Sequence, residues 1–166
     1  MSSVISVVQN SGITYAGAEQ EIAKNISYFL TVDNAIASKN AYPLAVPVSG
    51  TNYSYEVWIR LRCDLAPNSS VENIKAWYDS GIPAGYTIKV NSDIVSTYQQ
   101  PVNTESSRGT RIDFTTKNAE GTSIALNGTL VNVGDYSSYL CFQLEVSDTA
   151  ETGRFSCDWI CQYDEF

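Results

Sequence analysis

The sequence predicts an all-β domain, an antiparallel β-sandwich or jelly roll of about eight to ten strands with an extended N-terminal segment. Three observations carry this. Apolar residues recur at every second position in several runs, and turn-forming residues separate those runs. At 166 residues, 43% of them hydrophobic, the chain is also long enough to bury one substantial core. A closed barrel would satisfy the same pattern.

Taken in chain order, residues 4–8 form an opening strand. Residues 16–25, with Glu19, Glu21 and Lys24, suit a short helix, and the alternation of Ile26, Tyr28, Leu30 and Val32 then favours a strand. Pro43 and Pro47 make residues 41–50 an extended connection. This divides the chain into residues 1–45, an N-terminal arm or first strands packing on the main domain, and a sandwich over residues 46–166.

From Tyr53 the odd positions Tyr53, Tyr55, Val57, Ile59, Leu61 and Cys63 are apolar or aromatic, opposite Ser54, Glu56, Arg60 and Arg62. That is a long strand with one face on a core, its polar face interrupted by Trp58. Shorter strands fit residues 74–78, 86–90, 94–98 and 111–114. The pair Asn127-Gly128, between residues 124–126 and 129–131, is a type I′ hairpin signal. Leu140, Phe142, Leu144 and Val146 share one face. So do Phe155, Cys157, Trp159, Cys161 and Tyr163, opposite Ser156, Asp158, Gln162 and Asp164. Residues 67–70, 81–85, 91–93 and 133–135 are turns, and the polar stretch 99–109 is a longer exposed loop.

Composition narrows the function. Eighteen acidic and ten basic residues give a net charge of −8, and no window holds a basic run, which argues against nucleic acid as a partner. No apolar run approaches the roughly 20 residues of a membrane-spanning helix. Residues 1–10 lack the basic and apolar regions of a secretory signal, so the expectation is a protein that works where it is made or leaves by lysis.

Without histidine the commonest general base is missing, and with it the Ser-His-Asp and Cys-His arrangements. The four cysteines, Cys63, Cys141, Cys157 and Cys161, lack the paired spacing of a zinc site. Within one strand Cys157 and Cys161 would stand roughly 13 Å apart, too far for a disulfide. Buried thiols acting as small hydrophobes are the simplest account, with pairing between strands left open. Glu56, Asp158 and Asp164 fall on polar strand faces and read as a solvated acidic surface. No catalytic residue, metal ligand or cofactor is therefore expected. The binding candidates are Trp58 and Trp77, aromatics on polar strand faces, which stack on sugars or anchor an interface when exposed and belong to the core when covered.

Four segments form a pattern beyond composition: residues 54–60 (Ser-Tyr-Glu-Val-Trp-Ile-Arg), 71–81 (Val-Glu-Asn-Ile-Lys-Ala-Trp-Tyr-Asp-Ser-Gly), 135–144 (Asp-Tyr-Ser-Ser-Tyr-Leu-Cys-Phe-Gln-Leu) and 162–166 (Gln-Tyr-Asp-Glu-Phe). Together they resemble a group of small tailed-bacteriophage virion proteins with a terminal Gln-Tyr-Asp-Glu, over residues 50–166. The four cysteines depart from that group. The resemblance implies a virion component (head decoration, neck or tail-associated) whose partners are other virion proteins, and it transfers no catalytic residue. The expectation is a non-enzymatic virion protein that forms a homo-oligomer. The alternative is a carbohydrate-binding module whose surface aromatics take a glycan.

Overall fold

The computed structural model describes residues 2–12, 19–21, 27–34 and 37–166. Among them are ten strands: β1 (Val4–Asn10), β2 (Glu19–Glu21), β3 (Thr51–Tyr53), β4 (Val57–Leu65), β5 (Val71–Ser80), β6 (Tyr86–Asn91), β7 (Arg111–Asp113), β8 (Ile124–Ala125), β9 (Leu140–Ser147) and β10 (Asp158–Glu165). They form two antiparallel sheets. The larger runs β2-β1-β4-β9-β6-β7, with β3 also paired to β9, and the smaller runs β10-β5-β8.

The two sheets close on one core, as the alternation predicts. Val57, Ile59, Leu61 and Cys63 of β4 and Leu140, Phe142, Leu144 and Val146 of β9 face Val71, Ile74 and Ala76 of β5. Trp159 and Cys161 of β10 pack on the edge of this core, Trp159 with its ring 6.1 Å from that of Phe142. Burial of such a set, at roughly 1.5–3 kcal/mol for each large apolar side chain, is the main term holding the sandwich together.

The long run from Tyr53 is two strands rather than one. Tyr53 lies opposite Glu145 and Val57 opposite Phe142, so three residues of one chain segment span two of the other. This bulge interrupts the ladder, and Ser54 bridges the gap: its hydroxyl accepts from Leu144 N–H at 3.0 Å.

Other expectations change for identifiable reasons. The helix anticipated over residues 16–25 overlaps β2, where Glu19–Glu21 pairs with β1; its other positions, with Ile26, lie outside the described residues. Residues 27–33 are not a strand, although Leu30 is buried and its carbonyl accepts from Tyr55 N–H at 2.9 Å. Residues 94–98 contribute a single bridge, Val95 to Tyr139. Asn127-Gly128 makes no hairpin, because both flanks spend their hydrogen bonds on β5. Leu126 N–H donates to the Ile74 carbonyl, and Leu130 exchanges two bonds with Val71. Asn127 is meanwhile held by Ser138, which precedes β9, so the segment ties the two sheets together.

β1 lies between β2 and β4, pairing with β4 from Val4–Leu65 to Asn10–Trp58. It is thus an integral strand of the large sheet.

Candidate functional site

The polar residues that sequence alone leaves without a task gather on the outer face of the large sheet. There Trp58 points away from the sheet-to-sheet core and is fully buried in a second cluster with Tyr98, Tyr139 and Cys141. Its ring meets Tyr98 edge-on at 5.3 Å and Tyr139 at 5.5 Å. This corrects the placement of Trp58 among surface aromatics. The face it occupies is covered by the segment following β6, so no ligand can stack on it.

The same segment overturns the expectation for Glu56, while residues 99–109 are the longer exposed loop that the sequence predicts, with Pro101 and Ser106 buried. The Glu56 side chain is wholly buried instead of solvated. Its carboxylate accepts from the Trp58 indole N–H at 3.1 Å, from Val102 N–H at 3.3 Å and from the Ser106 hydroxyl, with the Arg108 guanidinium 3.6 Å away. Gln143, also buried, donates to the carbonyls of Ser54 at 3.0 Å and Thr104 at 2.8 Å and accepts from Ser106 N–H at 2.9 Å. The loop is exposed along most of its length and is pinned where Val102 N–H and Ser106 reach the buried carboxylate and where Thr104 and Ser106 reach the buried amide. Burial of the Glu56 and Gln143 side chains is tolerated because their polar atoms are bonded, whereas Arg108 Nε meets Glu56 only as an ion pair at 3.6 Å, without a hydrogen bond.

A charged cluster lies further along this face. Glu19 of β2 pairs with Arg60 at 2.7 Å and Arg62 at 3.0 Å, and Arg62 pairs with Asp64 at 2.6 Å. The Arg60 guanidinium stacks 3.5 Å from the Tyr136 ring centre. Burial by itself would raise the Glu19 carboxyl, but hydrogen bonds from Arg60, Arg62 and Tyr136 outweigh it and hold Glu19 below its ordinary value. Hydrogen bonds from Arg62 and Ser6 lower Asp64 likewise. These charges bind the sheet edge to itself.

The outer face of the small sheet is different. Trp77, half-buried, stands directly opposite Ile160, which is 39% exposed. Beside them Lys75 faces Gln162, and Lys75 is engaged by Glu120 at 3.0 Å. Toward the far end Glu72 lies opposite Asp164, with Asn73 between them in a left-handed conformation (φ 53°) at a bulge. Asn73 donates to Asp164 at 2.8 Å, and the Ser70 hydroxyl donates to Glu72 at 2.8 Å. Asp158 closes the opposite end, next to the edge. Trp77 thus keeps the outward position its strand pattern predicts, and Asp158 and Asp164 keep theirs.

A shallow cleft of about 460 Å³ lies elsewhere, lined by Thr31, Pro43, Asn52, Tyr53, Asn103 and Glu105 among others. Burial, helped by Glu105 and Glu145, raises the Tyr53 phenol above its ordinary value. Sequence reading missed this cleft, since its walls come from segments about fifty residues apart.

All four cysteines are free. Burial pushes the thiols of Cys141 and Cys161 up to about 12 and that of Cys157 up to about 11, the opposite of what activates a nucleophile. Among the described residues no group of three or more Cys, Asp or Glu side chains is placed to hold a metal ion.

The class this geometry defines is an antiparallel two-sheet sandwich with one outer face covered by its own loop and the other open. No protein-family model, curated protein or solved structure matches the chain.

Proposed function

We propose that this chain is a non-enzymatic structural component of a tailed-bacteriophage particle, a head decoration, neck or tail-associated protein. It docks to other virion proteins through the open face of its small sheet. The observation that carries the docking reading is the Trp77–Ile160 pair: a half-buried aromatic and an exposed aliphatic side chain, cross-strand neighbours, on the outer face beside the sheet edge. Aromatic anchors of this kind carry a large share of interface energy. The phage setting is supported by the four segments whose resemblance was described above. Three of them supply Glu56, Trp58, Arg60, Tyr136, Tyr139 and Gln143 to the packed outer face, together with the inner strand β5. The fourth forms the end of β10, on the open side.

The test replaces the gene for the chain with an Ile160→Glu variant and quantifies the protein in purified particles. Incorporation should fall at least tenfold while thermal unfolding of the free protein is unchanged. Incorporation at the normal level refutes docking through this face.

A second reading, a carbohydrate-binding module, is favoured by the Tyr53 cleft, whose amides, hydroxyls and ring suit a neutral sugar. It predicts glycan-array binding that is lost in Tyr53→Ala; an array without a hit removes it.

A further inference from the structure

Strand β10 is a long edge strand that lacks two of the usual protections. It spans eight residues and is paired on one side only, by β5. Both register shifts along this pair are extra residues in β5, at Asp79 and at Asn73-Ile74, so β10 itself keeps an unbroken alternation. It carries no proline and no lysine, two devices that normally blunt an edge. Half of its amides and carbonyls therefore face outward with no strand partner among the described residues.

The side chains specify which strand fits. Asp158, Ile160, Gln162 and Asp164 line the outer face of this edge in that order. Among the described residues neither Asp158 nor Asp164 has an ion-pair partner, and Asp164 already faces the like charge of Glu72. A second copy is a poor occupant. Antiparallel self-pairing centred on Cys161 keeps the outer faces together and sets Asp158 against Asp164 twice, and like charges directly opposite destabilise a pair. Two chains of net charge −8 repel besides. A strand with basic residues opposite Asp158 and Asp164 would gain both ion pairs and relieve the Glu72–Asp164 repulsion.

We infer that β10 accepts an extended basic segment of another protein as an additional antiparallel strand. Lysine or arginine six residues apart in that segment bracket an apolar residue, which packs on Ile160 and Trp77. This rests on the docking reading above and names the chemistry of its partner.

The probe is a nine-residue threonine peptide with lysine at its second and eighth positions and valine at its sixth, titrated into the full chain. Backbone amide shifts and hydrogen exchange are followed by NMR. The expected result is perturbation and slowed exchange along β10, with affinity falling at least tenfold between low and high salt. A peptide N-methylated on the edge-facing amides should not bind. The double variant Asp158→Lys, Asp164→Lys should lose the lysine peptide and accept its glutamate counterpart. Equal binding of the N-methylated peptide, equal binding of the lysine and glutamate peptides, or no perturbation of β10 at millimolar peptide each overturn strand addition. If strand addition fails while Ile160→Glu still blocks incorporation, docking survives without it; if both fail, both are wrong.

Discussion

Replacing Glu56 by alanine should loosen the loop over residues 99–110 before it unfolds the sandwich. Two buried donors lose their acceptor, the Trp58 indole N–H at 3.1 Å and the Val102 amide at 3.3 Å. The Ser106 hydroxyl can rotate to another partner, and Arg108 keeps its bonds to Gln99 and to the Gln100 carbonyl. At about 1–3 kcal/mol for each buried donor left unpaired, the loss is about 4 kcal/mol. For a chain of this length that lowers Tm by about 8–16 °C. Glu56→Gln retains an oxygen for both donors and forfeits only the charge, so about 1–2 kcal/mol is expected. Urea unfolding followed by tryptophan fluorescence gives both values, and hydrogen exchange should accelerate at Val102 and Ser106 more than along β9. Alanine costing under 1 kcal/mol, or glutamine costing as much as alanine, would refute the claim that this carboxylate holds the loop down.

Four further outcomes follow from the fold. Gly81→Ala should cost at least about 2 kcal/mol, because φ is +102° and a Cβ there would sit 2.0 Å from the Ser156 carbonyl oxygen. Gly50→Ala, with φ +77° and open space around it, should cost only about 1 kcal/mol in the same denaturation assay. Glu19→Gln should cost about 1–2 kcal/mol at neutral pH through its lost pairs with Arg60 and Arg62. Because the folded value of Glu19 is lowered, that stabilisation is complete above the ordinary carboxylate range. It is lost as pH falls through the folded value, so the mutant and parent curves should converge in acid. Deleting residues 1–12 should abolish cooperative unfolding by calorimetry, since it strips β4 of its neighbour from Leu65 to Trp58.

The strands that proved easiest to locate were those with one buried face and one exposed face. β10, half-buried on one face and exposed on the other, is the clearest; in β4 and β9 the alternation marks the inward residues although both faces are largely buried. Periodicity assigns a residue to a face but is silent on whether that face is covered. Periodicity therefore places Trp58 and Glu56 on the right face but not in the right environment, because their cover comes from residues 98–108, forty or more positions away. The loop over residues 99–109 is exposed as its composition predicts. Within that exposed loop Ser106 is a buried exception, because Gln143 and Glu56 meet it. Asn127-Gly128 carried genuine turn chemistry, but β5 offered its flanks a better ladder than they offered each other. Of the two candidate tryptophans, Trp77 lies partly at the surface, since no loop among the described residues covers β5 there as residues 98–108 cover Trp58 and Glu56.

The place of β9 also determines when this protein can fold. It is the hub of the large sheet, pairing with β3 and β4 on one side and β6 on the other. During synthesis, therefore, β4 and β6 emerge long before the strand that joins them, and the β2-β1-β4 and β6-β7 parts of the large sheet wait for residues 140–147 to be united. Contacts so distant in sequence close slowly, and meanwhile the apolar faces of β4 and β6 remain open to neighbouring nascent chains. Yield at high expression should thus depend on translation rate and chaperone supply more than on the stability of the finished fold.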